Sequence, residues 1–586
     1  MIEYFSLLWE LKEKQGQQAT VVVTIPELAR LLHCTERHVK NIIKKMQDNK
    51  WIEWYSGLGR GNRSQIIFVC TLEQVVKTEA KRLVLEKSIE QALSFLQKYQ
   101  TDHSFLTRAT FLDFILSYVD QEDTDHLRFP SYRPLPILDP LRVDRRTENH
   151  FMSYLYDTLV QFQSGSQEVR PGIAHTWAVN KSFTKWTLYI RKAVYFHHQE
   201  RVTAADVCRC IQLHQHDNAS PYHWVFEHLD SIASINELTV KLRFNKPMPF
   251  LLACLTTLAG AIFIKDQAGK MVGTGPYQLI ENTEQKLNLA VHNNYYHTRP
   301  FLDQITLYFF PSLYDNTDID VKAKYANLNF YHYPYKHEQR DFQAYTHIDH
   351  GSKLLTFNAQ AGPLAKNEQL RQAIISAVQP AELIKQLGGN RYLTASRMRR
   401  ELEQHEKTRK CLPDTKHLIE ASQYQGEVLT LACYQGAGNE QDANWICARL
   451  NKIGVRVQLK VFDYQNFFQQ QLHQYDMLLG EQIAHDHPLI SYFKAFLGSQ
   501  SLLTHHLPPT LKGQVENCLT TVRQPNEALG LLDELEEKVS AKFYGMYLYR
   551  LNQYAIYPSY FKNIHINALG WLDFKAVWFD QEDMNF

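Results

Sequence analysis

The chain has 586 residues, too many for one domain of ordinary size, and 63 basic against 62 acidic side chains leave a net charge of +1. Its 44% hydrophobic and 21% charged residues are ordinary globular values and exclude a disordered or fibrous chain. Nine scattered cysteines, an odd number, argue for a reducing compartment over a disulfide framework. The longest apolar run, Leu251 to Ile264, is interrupted by Thr256, Thr257 and Gly260 and is shorter than the roughly 20 residues a bilayer requires. The N-terminus carries an early acid, Glu3, and neither a basic n-region nor a clean apolar h-region, so no signal peptide is read and a soluble, cytoplasmic protein is expected.

Taken in order, Tyr4, Phe5, Leu7, Leu8 and Leu11 give a first helix. Thr24-Ile25-Pro26-Glu27 opens a second: Thr24 can cap, Glu27 can complete a capping box, and Pro26 sits in the first turn, where it has no N–H to lose. Thr35 caps a third, whose Val39, Ile42, Ile43 and Met46 recur at helical spacing. That leaves Glu36, Arg37, Lys40, Asn41, Lys44 and Gln47 facing outward, a face that fits a DNA major groove. Two strands, Trp51 to Tyr55 and Gln65 to Val69, flank the glycine-rich segment Ser56 to Ser64 with Arg60, Asn62 and Arg63, which reads as a wing. From Arg30 to Arg63 there are eight basic and three acidic residues, a local excess of five in a nearly neutral chain. The competing reading is a small helical domain with a solvated charged face. Gly57 to Gly61 joins two strands, so it is not a nucleotide loop.

From Leu72 a long helical pattern runs through Val75, Val76, Leu83, Val84, Ile89, Leu93 and Leu96, with another around Phe105 to Val119. This section suits a spacer packed on its own domain or a homodimer seam. Gln121 to Asp125 is polar and marks a domain boundary.

Beyond Leu127, strands, turns and helices alternate without a short repeat. Trp186, Leu188 and Ile190 alternate as a half-buried strand, Thr203 caps a helix, and Gly273 to Pro276 forms a turn whose glycines allow positive φ. Cys208 and Cys210, two apart on a helix, point away from one another and read as packing residues. Trp186 to His197 followed by Thr203 to Val207 resembles a signature of the family 5 extracellular solute-binding proteins. Asn245-Lys246-Pro247, Gly273 to Tyr277, Asn294-Tyr295-Tyr296 with Arg299-Pro300, and Arg371 to Ile374 match later signatures in order. His198-Gln199 departs from the family's usual Asp-Gly and suggests a different turn.

Such a domain behind a winged helix-turn-helix resembles the SgrR family of bacterial transcription regulators. Met46 to Trp51, Gly59 to Ser64 and Asn567 to Lys575 carry that resemblance. It implies a cytoplasmic activator that responds to sugar phosphate and controls a small RNA and transport genes. The expected architecture is a multidomain chain. A winged helix-turn-helix (α+β) occupies 1–70 and a helical linker 71–125. A two-lobed α/β domain of the type II periplasmic-binding-protein kind occupies 126–586, with a first lobe of about 127–345 and 555–586 and a second of about 346–554.

Arg37, Lys40, Asn41, Lys44, Arg60, Asn62 and Arg63 are the expected contacts to double-stranded DNA. A small-molecule effector is expected in the larger domain. Arg128, Arg133, Arg142, Arg145 and Arg146 crowd just ahead of a helix start at Thr147-Glu148, where arginines and helix N–H groups can hold a phosphate. Arg133, Arg145 and Arg146, with Tyr154 and Tyr156, are the candidate ligand contacts; the alternative is that most of these arginines pair with Asp139, Asp144 and Glu148. His485-Asp486-His487 lacks further assignable metal ligands, and neither a GxSxG elbow nor a GxxxxGK[ST] loop is found, so no metal, cofactor or enzymatic activity is expected. The competing function is a solute- or peptide-binding protein whose N-terminal unit is a protein-interaction module.

Overall fold

The computed structural model describes residues 1–15, 20–57, 63–86, 95, 98–99, 125–163, 165–309, 329–332, 342–403 and 414–580. The described residues up to Tyr99 form one compact unit and those from Asp125 onward another.

In the first unit, helix α1 (Ile2–Lys14) is followed by strand β1 (Thr20–Val23), α2 (Ile25–Leu31), α3 (Glu36–Asp48), β2 (Ile52–Tyr55), β3 (Ser64–Phe68) and α4 (Leu72–Glu86). The three strands form an antiparallel sheet in the order β1-β3-β2. The capping box at α2 is formed: Glu27 N–H donates to Thr24 Oγ1 at 3.3 Å, and Thr24 N–H donates to Glu27 Oε2 at 2.8 Å. Thr35 Oγ1 accepts from His38 N–H at the start of α3. Val39, Ile42, Ile43 and Met46 are buried with Phe5, Leu8, Leu28 and Ile66 in one core. Strand β1 has no counterpart in the sequence reading. Its four residues, TVVV, are too short to show a period, and Val21 and Val23 alternate inward only because β3 lies beside them. The expected helical patterns beyond Glu86 lie outside the described residues, apart from isolated positions.

The second unit has two lobes. Near the start of the first, β4 (His126–Ser131) pairs in parallel with Gln304–Phe309 at the edge of a four-stranded sheet. A second, antiparallel sheet holds 174–179, 185–190, 239–244 and 229–236. Trp186, Leu188 and Ile190 are buried there, as the alternation requires. Helix α5 (Arg146–Leu155) lies within this lobe. The chain leaves through β5 (Phe342–Ile348) and enters the second lobe with β6 (Ser352–Phe357). It comes back through β10 (Gly545–Tyr547), paired with β6, and β11 (Tyr549–Pro558), paired with β5. The first crossing therefore falls at Asp349–Gly351 and the second within β11, whose residues 549–551 pair with Arg391–Thr394 of the second lobe and whose residues 552–558 pair with β5.

The second lobe is built on a five-stranded sheet. Its order is β8 (Val457–Phe462), β7 (Leu429–Tyr434), β9 (Met477–Gln482), β6 and β10, parallel among the first three. Leu429, Leu431 and Cys433 pack into one core, while Ala432 and Tyr434 pack into another on the opposite face. Both faces are covered, so β7 reads as a nearly continuous apolar run. Helix α6 (Pro488–Leu497), part of the second lobe, is buried at every residue except Pro488, and its Leu489, Phe493 and Phe496 belong to a core that continues from this lobe into the first.

The turn Gly273 to Pro276 corrects one expectation. Neither glycine has positive φ. A Cβ at Gly273 would lie 1.9 Å from Leu155 O, and one at Gly275 would lie 2.1 Å from Tyr154 O. Glycine is required there because the turn runs against the C-terminal end of α5, where Gly275 N–H donates to Leu155 O at 3.0 Å. At the His198-Gln199 departure, Gln199 has φ 72°, a left-handed conformation that favours glycine. Cys208 and Cys210 are buried, and Cys210 Sγ contacts Phe263 O at 3.1 Å, as packing residues should.

Gly275→Ala should therefore destabilise the second unit by about 2–3 kcal/mol, because backbone atoms must move to admit one methyl group. Urea unfolding monitored by tryptophan fluorescence reads this, and an unchanged midpoint would contradict the close approach.

Candidate functional sites

On the first unit, Arg37, Lys40, Asn41 and Lys44 are all exposed on α3, opposite the buried Val39, Ile42, Ile43 and Met46. Arg63, at the foot of the hairpin, is exposed and lies 3.9 Å from Glu27 of α2. Its attraction to that carboxylate is weak at this separation and exposure, so its guanidinium remains available. Arg60 and Asn62 lie outside the described residues.

In the second unit, the segment before α5 distributes its arginines to different partners. Arg133 makes a two-pronged ion pair with Glu148, at 2.6 and 2.7 Å, and Glu148 is held below the usual carboxylate range by that guanidinium despite its burial. Arg142 pairs with Asp217 at 2.6 Å. Arg146 pairs with Asp349 at the first crossing and with Glu481 of β9 at 3.3 Å. Tyr154 is buried, donating to Asp573 Oδ1 at 2.9 Å and accepting from Phe574 N–H at 3.0 Å. Tyr156 donates to Leu138 O at 2.6 Å. Arg133, Tyr154 and Tyr156 are thus bonded to partners within the first lobe, while Arg146 reaches across the cleft between the lobes to Glu481.

Arg145 also lies at this cleft. Its Nη2 donates to Gln435 O at 2.9 Å across the lobe boundary, and its guanidinium lies 5.4 Å from the Tyr434 ring and 5.0 Å from the Tyr464 ring. The same cavity is walled by Asp144, Phe468, Glu481, Gln482, Ile483, Lys494, Gln500, Ser501 and Leu502, and its volume is about 20 Å³. That is close to the space one water needs.

Lys494 was not anticipated. Its ammonium donates to Asp144 Oδ1 and to His485 Nε2, the latter at 2.7 Å. Burial pushes the lysine down from its ordinary value, and burial beside that ammonium holds His485 well below its own. A signal existed in the sequence: α6, PLISYFKAFL, is apolar all round except for one lysine, and a lysine buried with its helix needs a charged partner. His485, Asp486 and His487 serve different neighbours. His485 accepts from Lys494, Asp486 accepts from Ala568 N–H at 3.3 Å, and His487 packs on the Phe162 ring at 4.7 Å. Among the described residues, no group of histidine, cysteine and carboxylate side chains is arranged to hold a metal ion, and no helix is long and apolar enough to cross a membrane.

Comparison with known proteins bears on both units. Residues 1–110 match the family described as Sugar transport-related sRNA regulator N-term, and residues 168–502 match Bacterial extracellular solute-binding proteins, family 5 Middle. A Bacillus subtilis protein, YhjP, is 24% identical over 95% of this chain and 96% of its own length. The HTH-type transcriptional regulator SgrR of Yersinia enterocolitica is 24% identical over 95% of each chain. Among solved structures, the periplasmic binding protein DppA of Helicobacter pylori, in complex with a peptide, superposes with a TM-score of 0.65 at 20% identity, covering 78% of this chain and 98% of that one. The likeness shows the shared two-lobed fold.

Burial holds His214 and His487 at about 4 and His332 and His506 at about 3. Their folded values lie below the unfolded one, so the unfolded chain takes up more protons between pH 6.5 and about 4. Stability is complete above that window and falls within it, by up to about 1.4 kcal/mol per pH unit for each such histidine. The melting temperature should drop steeply from pH 7 to pH 5; a flat calorimetric profile over that range would contradict these burials.

Proposed function

We propose that this chain, which belongs to the family 5 bacterial solute-binding proteins and to the SgrR family of transcriptional regulators, binds double-stranded DNA through its first unit. A small molecule held between the lobes of the second unit would control that binding. The observation that carries the reading is the division of α3 into a buried apolar face and an exposed face bearing Arg37, Lys40, Asn41 and Lys44. In this reading α3 enters the major groove, while Arg60, Asn62 and Arg63 meet the flanking backbone.

The finer reading is a cytoplasmic activator that senses a sugar phosphate and controls a small RNA and transport genes. Its support is the matching N-terminal family, together with Arg145 and Lys494 in the cleft wall. The cleft gives that reading no surplus of positive charge, since Lys494 faces Asp144 and Arg146 faces Asp349 and Glu481. An anionic effector would have to displace one of these carboxylates or use Arg145, whose hydrogen bond is to a carbonyl.

Gel-shift titration against DNA upstream of the chain's own gene tests the main reading. If about five phosphates are neutralised, log affinity should fall with log salt at a slope of about −4 to −5. Arg63→Ala should weaken all sequences alike, whereas Arg37→Ala or Asn41→Ala should also change base preference. Salt-independent binding, or full binding by an Arg37→Ala, Lys44→Ala double variant, would overturn it. For the effector, calorimetric titration of a hexose phosphate and the free sugar should separate the two. Arg145→Ala should cost about tenfold to a hundredfold in affinity for the phosphate form. Equal binding of both sugars would remove the phosphate from the reading.

A further inference from the structure

The walls of the cleft are bonded to one another. From the first lobe, the Asp144 carboxylate receives the ammonium of Lys494 from the second. Asp144 also donates its N–H to Gln500 Oε1 at 2.8 Å, and its carbonyl accepts from Tyr464 O–H at 2.7 Å. Gln500 Nε2 donates in turn to Arg142 O at 2.7 Å. Arg145 and Arg146, also from the first lobe, reach Gln435 O and Glu481 of the second. Beside these bonds, the Phe493 ring of α6 lies 6.2 Å from Trp224 and 5.8 Å from Phe250 of the first lobe. Ser499 Oγ donates to the carbonyls of Ala219 and Ser220.

A two-lobed binding domain that depends on its ligand for closure leaves charged or polar groups on the facing walls for the ligand to satisfy. Here Lys494 pairs with Asp144 and Arg146 with Glu481 across the walls, an apolar contact lies alongside them, and the cavity beside Arg145 measures about 20 Å³. We propose that Lys494, Asp144 and Gln500 form an internal latch that closes the two lobes by themselves, so that an effector gains the cleft only by breaking it. The effector clause rests on the function proposed above, whereas the latch does not. The thermodynamic consequence is a population shift: the state that admits the effector is the minor one, and apparent affinity is reduced by its fraction.

Hydrogen exchange on the full chain, read by mass spectrometry with no small molecule added, tests the latch. In the wild type, peptides covering 142–149 and 485–501 should be protected. A Lys494→Met, Asp144→Asn double variant removes both charges together, so that neither is left buried alone. In it, the same peptides should exchange at least about tenfold faster, while the core strand 429–434 keeps its protection. If the double variant does not fold, Gln500→Ala, which carries no charge, should show the same local acceleration. Fast exchange of these peptides in the wild type, or equal protection in wild type and variants, would overturn the latch. A hexose phosphate that binds should raise exchange at 485–501; lowered exchange on binding would overturn the effector clause. Failure of a hexose-phosphate panel to bind at all would count against the proposed effector and leave the latch intact.

Discussion

Asp349 stands where the chain first passes between the lobes, and the geometry of the second unit depends on how that carboxylate is satisfied. It accepts from Arg146 at the start of α5, from Gly351 N–H at 2.9 Å and from Gln553 Nε2 of the returning strand at 3.3 Å. One buried anion thus ties together a first-lobe helix and both crossing segments. Arg550, fully buried on the returning strand, donates to the carbonyls of His350, Gly351, Arg397 and Met398. Charges this deeply buried are tolerated only when several groups solvate them, so each also fixes the position of the groups that do so. The crossing segments are therefore held in register by ionic contacts, not only by the pairing of β5 with β11 and of β6 with β10.

That arrangement explains why the arginines before α5 do not act as one cluster. Arg133, well ahead of α5, pairs with Glu148 in that helix, Arg146 bridges the crossing and Glu481 of the second lobe, and Arg145 lies against Tyr434 and Tyr464 in the cleft wall. Neighbouring positions at a helix start point in different directions, and each direction ends in a different environment. The chemical reasoning that makes arginine a phosphate ligand applies equally to carboxylates, and in this fold carboxylates lie closer. Lys494, from a stretch about 350 residues further on, ends opposite Asp144, so the cleft contains a pair of charges that neither segment shows by itself.

In the first unit the same amphipathic rule works without such competition. Val39, Ile42, Ile43 and Met46 have only one core to enter, so their burial leaves the opposite side of α3 in solvent. Local pattern and tertiary packing agree on that helix, and its outward residues could be named from spacing alone.

How much was legible depended on how far apart in the chain the interacting groups lie. The sequence by itself determined the helices of the first unit, their caps, the outward face of α3, the order of the two kinds of domain and the half-buried strand at Trp186. Each rests on contacts within about a dozen residues or on a family pattern. Tertiary structure decided the inward alternation of β1, since it needs β3 beside it. It decided why Gly273 and Gly275 are glycines, because the carbonyls of Tyr154 and Leu155 approach from more than a hundred residues away. It also decided which partner each arginine meets, since Glu148 takes Arg133 while Asp349 and Glu481 share Arg146. A side chain's type states what it can bind; which partner it meets is a property of the folded chain.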